Sequence, residues 1–131
     1  MNLTLREAET VLRAAESKAR ELGIHVSIAV LDPRGDVVAL ARLDGARYFT
    51  PDIAIGKAMV SASLGAPSGA MAEASGSPFF VRFNAMHQNR MVFHQGALPI
   101  KRDGQVIGAV GVSGASAQQD EEVAQAGIAA L

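Results

Sequence analysis

The sequence of 131 residues predicts an α+β domain, in which an antiparallel β-sheet is packed with an N-terminal helix, a C-terminal helix and a central buried helix. Three observations predict this class. Helical and strand-like periods follow one another along the chain, short turns join the strands in pairs, and one helix is apolar on nearly all sides. Short turns require antiparallel pairing, and a helix without a polar face must be covered on several sides. The length fits one hydrophobic core, so residues 1–131 form a single domain.

The N-terminal helix is predicted from its two ends. Thr4 and Glu7 have the spacing of a capping box, in which each residue satisfies a free backbone N–H of the other. Apolar residues then recur at steps of three and four as far as Leu22, and Gly23 can take the left-handed conformation that ends a helix.

The first hairpin follows this helix. In residues 24–31 every second residue is apolar and β-branched, from Ile24 to Val30, which is the period of a strand. Asp32-Pro33-Arg34-Gly35 is typical of a turn, because proline presets φ and glycine accepts a positive φ. Residues 36–42 are the second strand of this antiparallel pair.

The central helix is predicted from Thr50 to about Leu64, with Pro51 at its first position. Between Ile53 and Ala66 its residues are apolar or small, apart from a single charge on Lys57. Residues 65–78 are rich in Gly, Ser, Ala and Pro and predict a loop.

The C-terminal half predicts a short helix over about 79–88, then strand character over 91–94 and again over 97–102. Asp103-Gly104 is a strong two-residue hairpin signal, and residues 105–113 complete that hairpin. Ser116 or a neighbour caps a final helix.

Composition excludes several function classes. The net charge is -1 and there is no basic run, so we expect no nucleic-acid partner. The absence of cysteine excludes disulfides and thiolate metal sites. The apolar stretches are too short to span a bilayer, and the N-terminus lacks a signal-peptide pattern. We therefore expect a cytoplasmic protein without membrane contact.

Lys57 is the strongest single candidate for a catalytic or ligand-binding residue. A lone ammonium in apolar surroundings needs a partner. It can hold a carboxylate, act as a base or form a Schiff base. Equally, it can form an internal ion pair, for which Asp44 is a candidate, or extend to the surface.

His87 and His94 are the candidate iron ligands, because neutral imidazole is a common axial ligand of haem. His87 follows a segment with three of the five phenylalanines, and Arg82 and Arg90 nearby can meet propionates. The same composition is typical of an oligomer contact. His94 lies at a predicted strand end beside Gly96, whereas His25 is expected to point outward. The spacing of the three histidines does not favour a zinc site.

Glycines and acids near the C-terminus have alternative explanations. Gly108, Gly111 and Gly114 do not form a dinucleotide fingerprint, and close packing against a helix explains them better than ligand approach. Asp120 and Glu121 have the composition of a catalytic pair, but acids in a first helical turn are usually explained by the helix dipole.

Several segments together resemble the GlcG/HbpS family, which includes the C-terminal domain found beside corrinoid adenosyltransferases such as PduO. The segments that carry the resemblance are Leu22-Gly23, residues 26–32 with Gly35, Leu43-Asp44-Gly45-Ala46, Ile53-Ala54 with Lys57-Ala58, and the closing run from Leu98 through Gly114 to Glu121. The resemblance implies a profilin-like sheet with helices, assembly into homo-oligomers that are often octamers, and binding of haem or a corrinoid-related ligand.

Three functions follow as hypotheses. The first is a haem-binding oligomer with His94 or His87 on the iron, a lysine or arginine on a propionate, and a pocket that includes Arg82, Gly96, Ser113 and Gly114. The second is a metal-free isomerase, hydratase or lyase of a catabolic pathway. It would use Lys57 as base or clamp, Asp44 as the partner of the lysine, and the backbone of residues 111–114 as an anion nest. The third is a structural oligomer without a ligand.

Overall fold

A four-stranded antiparallel sheet with helices on both faces is the frame of the protein, described by a computed structural model for residues 2–131. The elements in chain order are α1 (Leu5–Leu22), β1 (Ser27–Leu31), β2 (Val37–Arg42), α2 (Thr50–Leu64), α3 (Pro78–Met86), β3 (Ala97–Arg102), β4 (Gln105–Ser113) and α4 (Ala117–Ala129). The predicted α+β class, with two terminal helices and a central buried helix, is confirmed.

The strand order is β2-β1-β4-β3, so both hairpins lie in one sheet and meet along β1 and β4. Ser27 pairs with Ser113 and Ala29 pairs with Gly111 in this central pair. All five residues of β1 are buried, because α1 and α4 cover one face of the sheet and α2 covers the other. The predicted apolar face of β1, which carries Ile28 and Val30, is buried, and the opposite face is buried as well.

Two cores result from this layering. Val110 and Val112 of β4 pack with α1 and α4 on one face of the sheet. Ala29 and Ala109 pack with the buried residues of α2 on the other. The small residues on the α2 side bring this helix close to the sheet, which determines where Lys57 can reach.

Local capping forms as predicted. The Thr4 hydroxyl accepts from the backbone N–H of Glu7 at 3.1 Å, and the backbone N–H of Thr4 donates to the Glu7 carboxylate at 3.0 Å. Gly23 ends α1 with φ of 67°. Ser116 begins α4 with a second capping box, in which Gln119 takes the place that Glu7 has in the first.

Two predicted boundaries and one predicted strand are wrong. Strand β1 begins at Ser27 rather than Ile24, because the backbone N–H of Ile24 still donates to Ala19 and closes the end of α1. Residues 91–94 form no strand: they run beside α2, and the backbone N–H of Val92 donates to the Gly56 carbonyl at 3.1 Å. Helix α3 ends at Met86, two residues early, where Gln88 and Asn89 take positive φ.

None of the helices within residues 2–131 combines the length and the apolar character of a membrane span.

Candidate functional site

A cavity of about 340 Å³ opens where the start of α2, the end of β4 and the start of α4 meet. Its lining includes five of the residues singled out in the sequence, namely Lys57, His94, Ser113, Gly114 and Asp120, together with Arg47, Phe49, Thr50, Ile53, Ala115 and Ala117. We call this the β4 cavity. Its volume lies toward the lower end of the range for small-molecule sites, roughly 300–1,000 Å³.

Lys57 forms the base of the β4 cavity. Its side chain is buried, and its Nζ donates to the Val112 carbonyl at 3.0 Å and to Asp120 Oδ2 at 3.1 Å. Asp120 is buried as well, and its other oxygen accepts from the backbone N–H of Ala115 at 3.0 Å. Every charge of this pair is thus matched by a charge or a hydrogen bond, as burial of ions requires.

The prediction that Asp44 pairs with Lys57 is wrong. Asp44 is exposed in the turn after β2, where its backbone carbonyl bonds to Nδ1 of His25 at 3.0 Å. The partner is Asp120, which the sequence presents as a first-turn acid of α4 or as half of a pair with Glu121, and not as a partner of Lys57. Glu121 faces another way and accepts from the Gln95 side chain at 3.2 Å, so the two acids do not act as a pair.

Glycines make room for the lysine and its helix. A Cβ on Gly96 would lie 2.6 Å from Lys57 Nζ, and the φ of Gly96 is 142°, so a side chain is disfavoured there for two reasons. A Cβ on Gly111 would lie 2.9 Å from Ala58 Cβ and would also meet the Ala54 carbonyl oxygen. Close packing against α2, the favoured explanation for Gly111, is confirmed.

His94 lies on the rim of the β4 cavity and is exposed. Its Nδ1 accepts a hydrogen bond from the backbone N–H of Gln95 at 3.1 Å. A backbone N–H can only donate, so the neutral ring carries its proton on Nε2. The backbone at His94 is held by the buried Ser68 hydroxyl, which donates to the His94 carbonyl and accepts from the N–H of Ala97.

His87 lies elsewhere, at the end of α3. The rings of Phe79, Phe83 and His87 follow one another at steps of four residues. The two phenylalanines are stacked at 6.0 Å, and His87 lies 4.8 Å from Phe83. We call these three residues the α3 aromatic stripe. Nδ1 of His87 lies 2.8 Å from the Phe83 carbonyl oxygen.

The sequence candidates therefore divide between two places. Lys57, His94, Ser113 and Gly114 come together at the β4 cavity, with Gly96 directly beside the lysine. His87 and Arg82 lie at α3, outside this cavity. Within residues 2–131, no three His, Asp or Glu side chains come together in a way that could hold a metal ion.

Sequence reasoning missed Arg47, Phe49 and Ile53 as lining residues. Arg47 and Phe49 belong to the irregular segment before α2, and no period or motif relates that segment to β4. The carbonyl of Arg47 accepts from the hydroxyl of Thr50 at 2.8 Å, which fixes the entry of the chain into α2.

Comparison with known proteins agrees with this fold. Residues 3–129 match the family model described as haem degrading protein HbpS-like. The chain is 33% identical over 125 residues to a 15.0 kDa protein from the dhaT-dhaS intergenic region of Citrobacter freundii, covering 94% of this chain and 87% of that protein. It is also 28% identical to the corrinoid adenosyltransferase PduO of the same organism, of which it spans only 39%.

Two solved structures are similar over the whole chain. A double mutant of Streptomyces reticuli HbpS superposes with a TM-score of 0.88 at 33% identity, covering 100% of this chain and 88% of that one. A PduOC:heme complex superposes with a TM-score of 0.88 at 26% identity, covering 100% of this chain and 96% of that one.

Proposed function

Since the chain belongs to the HbpS-like family, we propose that it binds haem, with His87 as the iron ligand. Haem-related binding occurs at the level of the family, as the HbpS description and the PduOC:heme complex indicate. The adenosyltransferase activity of PduO is a property of a much longer protein and is not part of this proposal.

A hydrogen bond favours His87 over His94, and because Nδ1 of His25 also bonds to a backbone carbonyl, that of Asp44, the phenylalanines beside His87 complete the choice. Its Nδ1 lies 2.8 Å from a backbone carbonyl oxygen, which can only accept, so Nδ1 carries the proton. The lone pair of the neutral ring is then on Nε2. Histidines that bind metals usually have this arrangement, in which the other ring nitrogen donates to a carbonyl or carboxylate. The hydrogen bond holds the ring in the protonation state that ligation through Nε2 needs.

The surroundings of His87 suit a flat apolar ligand with acidic edges. Phe79 is 65% exposed and Met86 is 79% exposed, so apolar surface lies open next to the imidazole. Arg82 and Arg90, which are within five positions of His87 in sequence, are also exposed and can meet the two propionates of haem through charge-assisted hydrogen bonds. The residues of this region therefore fit haem, which supplies the redox-active iron when bound.

His94 is the weaker candidate for the same role. Its hydrogen bond from Gln95 places the proton on Nε2, so ligation through Nε2 would require this bond to break. Lys57 is not assigned to a propionate, because it lies at the base of the β4 cavity, whose lining includes no residue of α3.

Haemin titration tests the proposal. We expect a saturable shift of the Soret band at one haemin per chain, and we expect His87→Ala to weaken binding at least about tenfold by removing the iron ligand. His94→Ala and His25→Ala are matched controls that each remove one exposed imidazole and should leave the shift unchanged. Absence of a shift with the unaltered protein, or loss of the shift in His94→Ala alone, would contradict the assignment.

Assembly is a further part of the proposal. We infer a homo-oligomer, an octamer by the resemblance, located in the cytoplasm. Val37 and Leu40 on edge strand β2 are exposed and apolar, and Val81 of α3 is 54% exposed, which is typical of surfaces that pack on other copies. Light scattering after size exclusion should give about eight times the chain mass of 13.6 kDa. A mass of one chain would contradict the assembly. If His87→Ala keeps the mass of the unaltered protein, its loss of haem binding is not caused by loss of contacts between copies of the chain.

A further inference from the structure

We propose that the β4 cavity is a binding site for a small carboxylate, independent of the haem site on α3. The inference goes beyond the proposed function, since it uses none of the residues of the α3 aromatic stripe.

Two donors of the cavity have hydrogen-bonding capacity that the described residues do not use. Ser113 is only 6% exposed, lines the cavity, and its hydroxyl makes no hydrogen bond to residues 2–131. Lys57 has three N–H groups, and among the described residues only two of them have acceptors, the Val112 carbonyl and Asp120. Unused buried donors are unfavourable unless a ligand supplies acceptors. A carboxylate has two oxygens that only accept.

The charges at the cavity favour an anion. Lys57 and Asp120 cancel each other, which leaves the guanidinium of Arg47 as the uncompensated charge of the lining. Glu121 follows Asp120 in sequence, but its carboxylate accepts a hydrogen bond from the Gln95 amide and does not line the β4 cavity. Ala117 adds to this field, because it lies in the first turn of α4, where backbone N–H groups have no intrahelical acceptor and the helix dipole is positive.

The opposite wall of the cavity is apolar. Phe49 and Ile53 contribute hydrocarbon surface beside the polar base. The hydroxyl of Thr50, between them in sequence, is already bonded to Ser27 and to the Arg47 carbonyl, so it offers no free donor. A volume of about 340 Å³ admits a short acid whose carboxylate faces Ser113 and whose alkyl chain contacts Phe49.

Ligand-detected saturation-transfer NMR with butyrate tests the site, and it works for a single chain or a large assembly. Butyramide is the matched neutral probe, because it has the same shape without the charge. We expect saturable butyrate binding and little response from butyramide. Inorganic phosphate is the third probe, and it should displace butyrate weakly because a tetrahedral anion leaves the apolar wall uncovered.

Variants connect binding to this cavity. Ser113→Ala removes one hydrogen bond to a charged group and should raise the butyrate Kd about tenfold. Arg47→Gln removes an exposed charge and should raise it about threefold. Arg34→Gln is the matched control, since Arg34 is an exposed arginine in the turn at the opposite end of β1. Circular dichroism checks that each variant is folded.

Each result decides the proposal. It is supported when both cavity variants weaken butyrate while Arg34→Gln and His87→Ala leave it unchanged. It is overturned by equal binding of butyramide, by equal displacement with phosphate, by equal loss in Arg34→Gln, or by no saturable butyrate binding at millimolar concentration. Because His87→Ala is expected to leave butyrate binding unchanged, a failure of this site can be distinguished from a failure of the haem site.

Discussion

Replacement of Lys57 by methionine should destabilise the protein strongly. Methionine retains the length and apolar stem of lysine but removes the ammonium, so Asp120 loses its charged partner while it stays buried. The Val112 carbonyl loses its donor as well. At the observed 3.1 Å between Lys57 Nζ and Asp120 Oδ2, the charges attract by about 5 kcal/mol at an effective dielectric constant of about 20.

The net loss is expected to be about 3–5 kcal/mol, the usual result of breaking a buried pair by removing one partner. Domains of this size are stable by about 5–15 kcal/mol, so the variant should be near the limit of folding. Urea unfolding followed by circular dichroism suits the measurement, because the chain has no tryptophan. The midpoint should fall by about 2 M at fixed protein concentration.

Two comparisons make the result interpretable. Lys101→Met makes the same substitution at an exposed position of β3 and should change stability by less than about 0.5 kcal/mol. Lys57→Met/Asp120→Asn removes both charges and should be more stable than Lys57→Met alone. A loss below about 1 kcal/mol in Lys57→Met, or additive effects in the double variant, would refute the view that this pair holds α2 to α4.

Two further predictions concern packing and pH. Gly111→Ala should destabilise by about 1–3 kcal/mol by pushing α2 from the sheet, whereas Gly76→Ala, whose Cβ meets nothing within 4 Å, should be nearly neutral in the same urea assay. The pKa of the Glu7 carboxyl is lowered from 4.5 because the backbone N–H of Thr4 donates to it and Arg102 lies beside it. A carboxyl group whose pKa is lower in the folded state stabilises the fold at pH values above its unfolded-state pKa. This contribution to stability is lost as the pH falls through the folded-state pKa. Glu7→Gln should therefore melt at a lower temperature than the unaltered protein at pH 7, and this difference should shrink as the pH falls below 4.5; a difference that does not change with pH would contradict the assignment.

Local chemistry explains why most of the fold was predictable. The two capping boxes, the glycine ends of α1 and α2, and the turn at Asp103-Gly104 depend on residues within four positions of one another. Such signals are unaffected by the rest of the chain. The apolar run around Lys57 similarly predicted a helix buried on several sides, and it lies against the sheet as expected.

The failures come from tertiary context. Residues 91–94 have the composition of a strand, yet the backbone N–H of Val92 donates to the Gly56 carbonyl on α2, and the sheet formed by residues 2–131 does not include this segment. The partner of Lys57 is 63 positions away, and the helix dipole by itself accounts for an acid at position 120. Asp44 is nearer to Lys57 in sequence, but it is exposed in the turn after β2.

The lone lysine, two glycines before β3 and in β4, and the first acid of α4 each have a separate explanation in the sequence, but they form one unit. Without a side chain at Gly111, α2 approaches β4, and without one at Gly96 the ammonium has space to reach Asp120. The base of the β4 cavity is therefore also what joins α2 to α4, so substitutions there alter stability before they alter binding. Changes of ligand preference must then arise on the rim, at positions such as Arg47 and His94, where side chains are exposed and can vary without unpairing a buried charge.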